Sequence, residues 1–185
     1  SLTLVENYLA INEEKDFNIY FKDLVGFKTS TGRLENYLSR FYAFYYILNN
    51  SILLHIPFSG GVLGKTSIWW VEAQIYKLFD IKTVVIPYGA DAHIYSTIIN
   101  TSARHGLLYN YPEAGRLEED IKKRVNYWVK YADCIIAGAL IYGIPRWDLV
   151  TPSPLCINTS QVIAKKYYSR NDGKTGKVII LHSPN

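Results

Sequence analysis

The chain has 185 residues, with 20 Lys+Arg against 16 Asp+Glu, a net charge of +4, 49% hydrophobic residues, 12 Gly and 2 Cys. A chain of this length holds one domain, or one domain with part of a second, and it can fold without disulfides or a structural metal. The apolar content excludes a disordered chain, the cysteine count excludes a disulfide scaffold, and the interspersed acids and bases leave no nucleic-acid-binding patch.

Leu2 to Val5 and Phe17 to Phe21 are short β-leaning runs, separated by a polar loop at Asn12 to Asp16. Ser30, Thr31 and Gly32 signal a helix start. Leu34, Leu38, Phe41, Tyr45 and Leu48 recur at helical spacing, which predicts a helix over 33–48, stopped by Asn49, Asn50 and Ser51. Ile52 to Ile56 is a continuous apolar run, as expected of a strand covered on both faces. Phe58 to Thr66 is a glycine-rich loop. Ser67 is expected to open a helix to residue 79, with Ile68, Val71, Ile75, Leu78 and Phe79 as its buried stripe.

A turn at Asp80 and Lys82 leads to a strand over Thr83 to Ile86. A polar loop follows, from Pro87 to His93. Residues 112–131 predict a long helix, with Pro112 in its first turn and Leu117, Ile121, Val125, Trp128 and Val129 buried. Glu118/Lys122, Glu119/Lys123 and Asp120/Arg124 are spaced as i,i+4 ion pairs. Ala132 to Ala137 is a strand, and Asp148 to Val150 a shorter one. Residues 165–177, rich in Lys, Asn and Gly, read as a linker. Val178 to Leu181 begins another strand. The expected organisation is a domain over 1–164, the linker, and the first strand of a second domain over 178–185. Alternating helices and buried strands imply an α/β domain with a mostly parallel sheet and right-handed crossovers.

The longest nearly apolar run, Cys134 to Pro145, falls short of the roughly 20 residues that span a bilayer. The N-terminus lacks a secretory pattern, and Cys134 and Cys156 read as free thiols. These features predict a cytoplasmic protein, with peripheral contact on the inner face of the membrane as a further option. The chain starts at Ser1 and contains no methionine, so it is expected to be a processed or truncated chain.

Two loops carry the chemistry. Ser59-Gly60-Gly61-Val62-Leu63-Gly64-Lys65-Thr66 lies between a strand and a helix, where a phosphate-binding P-loop would lie. Ser59 stands where that motif needs glycine, and neither later strand ends in the aspartate that a magnesium shell requires. The loop is therefore expected to serve a tight turn and close backbone approach, with a P-loop NTPase or kinase as the alternative. The second loop is Tyr88-Gly89-Ala90-Asp91-Ala92-His93. In a parallel sheet, ligands bind beyond the carboxyl ends of the strands, which is where Gly60, Gly61, Tyr88, Gly89 and Asp91 are expected.

Asp91 suits either the orientation of a sugar hydroxyl or catalytic histidine, or the capping of a turn. His93 suits a base or hydroxyl binder, or a plain surface histidine. The four histidines, at 55, 93, 105 and 182, have no metal-ligand spacing, so no metal is expected. Trp69 and Trp70 cannot both join the predicted stripe. One is expected to pack on a neighbouring loop or touch a membrane surface.

The order of these motifs resembles the N-terminal domain of GT-B glycosyltransferases of the family 4, or group 1, type. The segments that carry the resemblance are Ile52 to Gly61, Lys82 to Asp91, Tyr131 to Ala137 and Val178 to Asn185. Tyr88 stands where that family commonly has histidine, and the family's first strand and early glycine loop have no counterpart.

The resemblance implies a Rossmann-like, doubly wound sheet forming the N-terminal half of a GT-B fold. It implies transfer of a sugar from a nucleotide-sugar to an acceptor hydroxyl, in cell-envelope glycan synthesis, without a cofactor. The acceptor, a sugar or a lipid-linked saccharide, would lie against Gly60, Gly61, Tyr88, Gly89 and His93, with Asp91 as the catalytic candidate. The donor would be held by a C-terminal domain beyond Asn185, so this segment alone is expected to be inactive. A non-catalytic α/β interaction domain is the remaining alternative.

Overall fold

The computed structural model describes residues 4–5, 18–24, 32–138 and 143–151. The predicted linker and final strand lie outside them, as do Cys156 and His182. The chain divides into a unit over Ser1–Ser153 and a second over Pro154–Asn185. All described residues belong to the first.

Two short strands, β1 (Leu4–Val5) and β2 (Ile19–Tyr20), pair in parallel. Helix α1 spans Gly32–Asn50, two residues beyond the predicted stop. Its last asparagines fold back along the helix: Asn49 Nδ2 donates to Tyr45 O and Asn50 Nδ2 to Tyr46 O. The buried face of α1 differs from the predicted stripe. Ala43, Phe44 and Ile47 are buried beside Ser39 and Arg40, while Phe41 and Tyr45 (67% exposed) face outward. Aromatic residues surround this helix, so apolar spacing fits two faces. The Arg40 guanidinium decides between them by donating to Val62 O at 2.9 Å.

The main sheet holds β3 (Leu53–Ile56), β4 (Lys82–Val85), β5 (Cys134–Gly138) and β6 (Leu149–Thr151), in that order and all parallel. The expected parallel neighbours are therefore present. Leu54, Ile56, Thr83, Val85, Ile135 and Ala137 turn to one side, where helices cover them. Leu53 and His55 are exposed, so β3 is not covered on both faces as its apolar run suggests.

Between β3 and β4, a 3-10 turn at Trp69–Val71 precedes α2 (Glu72–Leu78). The helix starts later than predicted, and its buried side chains are Glu72, Ala73 and Tyr76. Ile68, Leu78 and Phe79 are exposed instead. The rotation follows from Glu72, whose carboxylate is drawn inward by the preceding loop. Asp80, with φ of 55°, makes the turn into β4.

Helix α3 (Thr101–Asn110) has no counterpart in the sequence reading. Asn100 caps it, its side chain accepting from Ala103 N at 3.0 Å. The predicted long helix is two: α4 (Pro112–Arg116) and α5 (Glu118–Tyr131). Leu117 sits at the break and is exposed, while Val125 and Trp128 are buried as expected. The i,i+4 ion pairs are replaced by Lys122–Glu119 and Lys123–Asp120 at i,i+3. Glu118 accepts from Ser96 N, and Arg124 points to the glycine-rich loop.

The central core joins Ile56, Phe58, Ala73, Val85, Trp128 and Ile135. A second cluster joins α1 to α2 through Phe44, Leu63, Tyr76 and Ile81.

Candidate functional site

The glycine-rich loop leaves the carboxyl end of β3 and closes through short turns. Gly60 N donates to Pro57 O, Gly64 N to Gly61 O and Thr66 N to Leu63 O. Gly60 has φ of 105°, a backbone that side-chain-bearing residues rarely adopt. The loop amides turn inward and find an acceptor within the protein. Gly61 N donates to Glu72 Oε2 at 3.1 Å and Leu63 N to Glu72 Oε1 at 3.0 Å. Tyr76 Oη donates to the same Oε1 at 2.8 Å.

Glu72 is fully buried. Burial pushes its carboxyl above the usual range, against the lowering effect of the loop amides and Tyr76. In a P-loop such amides hold phosphate. Here a carboxylate from α2 occupies that position.

Gly61 is shaped for this contact. A Cβ there would stand 2.5 Å from Glu72 Oε1 and 3.2 Å from Tyr76 Oη. On the other side of Gly60, Arg124 Nη1 donates to Ser59 O at 2.7 Å. Its guanidinium lies 4.7 Å from the centre of the Trp69 ring, a cation–π contact. Trp69 also meets Tyr127 edge-on at 5.1 Å, so it packs against α5, while Trp70 is exposed. Tyr127 Oη joins α5 to α2 by accepting from Ala73 N and donating to Gln74 Oε1.

The second loop leaves β4, and a 3-10 turn at Gly89–Ala92 brings Asp91 back toward the first loop. Asp91 Oδ1 accepts from Tyr88 N at 2.7 Å, and Oδ2 accepts from Ser59 N at 3.2 Å. One carboxylate thus joins the exits of two neighbouring strands. Partial burial raises its pKa, while the amides of Tyr88 and Ser59 work in the opposite direction. Tyr88 is 70% exposed beside Gly89, which has φ of 78°.

His93 is separated from this surface. It is only 5% exposed, 6.0 Å from the Tyr95 ring, and its Nδ1 has no partner among the described residues. Burial lowers its pKa, with the Asp91 charge acting the other way. It is neither a surface histidine nor a residue presented to a cleft.

The structure therefore brings Ser59, Gly60, Gly61, Tyr88, Gly89 and Asp91 to one edge of the sheet and leaves His93 beneath it. Glu72 and Arg124 were missed by sequence reading, because both resemble ordinary charges on exposed helix faces. One signal was available: Glu72 is an acidic residue in the first turns of the helical segment that follows a loop rich in glycine amides. Among the described residues, no cluster of His, Cys, Asp and Glu could hold a metal ion. No described helix is long and apolar enough to cross a membrane. No family profile, curated protein or solved structure matches this chain.

Asp91→Ala is expected to release both loops and lower stability by about 1.5–3 kcal/mol, the range for a hydrogen bond made to a charged group. Urea unfolding measures this. A midpoint equal to that of the parent protein would show that Asp91 does not hold the loops.

Proposed function

We propose that this chain is the acceptor-side domain of a sugar transferase of the GT-B type, with a Rossmann-like sheet; the doubly wound arrangement is not met by the described strands, which follow chain order without a reversal. The observation that carries this reading is the Asp91 bridge. It assembles Gly60, Gly61, Tyr88 and Gly89 into one wall at the carboxyl ends of β3 and β4, where parallel sheets bind ligands. The two glycines let the loop close on Glu72 and Tyr76 at the base of this wall, and exposed Tyr88 offers a ring on which a saccharide can stack. Asp91 acts here as a positioning residue, because both its oxygens are engaged by main-chain amides. The nucleotide-sugar donor belongs to a second domain, and the acceptor is a sugar or lipid-linked saccharide. Exposed Trp70 supports peripheral contact with a membrane bearing that acceptor.

The NTPase reading is disfavoured by Glu72, which fills the amides a phosphate would need. Titration of the chain with magnesium-ATP and magnesium-GTP is expected to give no saturable binding. Saturable binding with phosphates held by residues 59–66 would reverse the ranking.

The direct test is sugar transfer by the protein as its gene encodes it, from a panel of nucleotide-sugars to membrane-extracted acceptors. Tyr88→Ala is expected to raise KM for the acceptor about tenfold and leave KM for the donor unchanged, as loss of a ground-state acceptor contact does. Absence of transfer from every donor, or a shift confined to donor KM, would overturn the reading.

A further inference from the structure

Among the described residues, the outer edge of β3 is unpaired. This strand ends the described sheet and pairs there with β4 alone. Lys82 N donates to Ile52 O at 2.9 Å and Ile86 N to Ile56 O at 3.0 Å. In a parallel ladder, alternate residues turn both main-chain groups to the same neighbour. Ile52, Leu54 and Ile56 therefore serve β4, and the N–H and C=O of Leu53 and His55 point away from it.

Natural sheets blunt such an edge with lysine, proline or a bulge. Within β3 there is none, since the strand reads Leu-Leu-His-Ile and Pro57 follows it. Leu53 is 56% exposed. Beside the edge lies a cavity of about 580 Å³, walled by Tyr46, Ile47 and Asn50 of α1 and by Val62. None of the described residues that line it is Asp, Glu, Lys or Arg.

We infer that this groove takes up one further β-strand, an extended, uncharged polypeptide segment with apolar side chains at alternate positions. The open groups of Leu53 and His55 supply two donors and two acceptors at strand spacing, which an extended backbone satisfies in both senses. A lipid or an aromatic ligand would leave them unpaired. The uncharged lining selects against a charged segment, because burying an unpaired charge there is costly. Four residues in extended form span about 13 Å, the length of β3. The groove meets the proposed acceptor wall at Gly60 and Gly61, but the strand contacts use Leu53, His55 and α1 and not the Asp91 bridge, so peptide binding tests this site separately from sugar transfer.

The test is selection of displayed random hexapeptides on the 185-residue chain, with a His55→Pro counter-screen. Proline at 55 removes an outward N–H without touching the β4 ladder. Uncharged, alternately apolar peptides are expected to be enriched and to bind His55→Pro about tenfold or more weakly, the scale of a lost buried hydrogen bond. Failure to enrich such peptides, or equal binding by His55→Pro, would overturn the proposal. So would self-association of the chain that protects the Leu53 and His55 amides without any peptide. If His55→Pro does not fold, selected peptides N-methylated at alternate positions replace it. Retained binding by both methylation registers then overturns the proposal.

Discussion

Glu72→Ala is expected to destabilise the protein by about 3 kcal/mol near neutral pH, since each buried donor left unpaired costs roughly 1–3 kcal/mol. The change strands the N–H groups of Gly61 and Leu63 and the hydroxyl of Tyr76. Removing a desolvated carboxylate returns part of that cost, so the net is smaller than three full penalties. The effect should be concentrated in the loop, with the amides of Gly61 and Leu63 exchanging faster than those of β4. A loss below about 1 kcal/mol would mean that the loop finds other acceptors, and that Glu72 does not organise it.

The same residue predicts a pH dependence of known sign. Burial raises the Glu72 pKa in the folded state. Between the unfolded value and the raised folded one, the native protein keeps a proton that the unfolded chain has released. Stability from this group is therefore full at lower pH and falls as pH rises through that window. Glu72→Gln should remove that part of the slope while keeping one acceptor for the loop. An unchanged slope in the glutamine variant would assign it to another group.

Gly61→Ala is expected to cost about 2–3 kcal/mol, at the upper end of the range for overpacking a filled interior. The added methyl would stand 2.5 Å from Glu72 Oε1, an atom held by two hydrogen bonds. A free surface side chain would swing aside, but this carboxylate can move only by breaking buried bonds. The clash predicts strong coupling. In the double variant Gly61→Ala/Glu72→Ala, the methyl has space, so the two losses should sum to about 1–2 kcal/mol more than the measured total. Additive losses in urea unfolding would show that the carboxylate does not set the glycine requirement.

The loops were legible in the sequence because they are local features. Glycines at 60 and 61, and the Tyr88–Asp91 turn, each follow an apolar run, and a parallel sheet sends strand ends to a common edge. Their bridge was not legible, since Asp91 and Ser59 are 32 residues apart. Capping and ligand orientation use the same residue type, so only the position of the Ser59 amide separates them. His93 was misplaced for a related reason. It follows a polar turn in sequence, yet the chain dives beneath the edge there and packs it beside Tyr95.

Local chemistry by itself determined the alternation of strands and helices, the parallel sense implied by it, and the mismatch of residues 59–66 with a P-loop. Those signals depend on near neighbours: runs of β-branched and apolar residues, glycines at turns, a proline in a first helical turn. Tertiary structure decided which helix faces are buried. The aromatic surface of α1 allowed two faces, and Arg40 with Val62 chose one. In α2 the apolar stripe gave way to Glu72, Ala73 and Tyr76, because satisfying the loop amides outweighed burying Ile68 and Leu78. Arg124 likewise left its predicted i,i+4 partner for Ser59 O and the Trp69 ring. Exposed i,i+4 pairs contribute only about 0.3–0.5 kcal/mol, so a loop carbonyl and an aromatic face together prevail over them. Such competitions are settled by groups far apart in the chain, and neither hydrophobic period nor charge spacing records them.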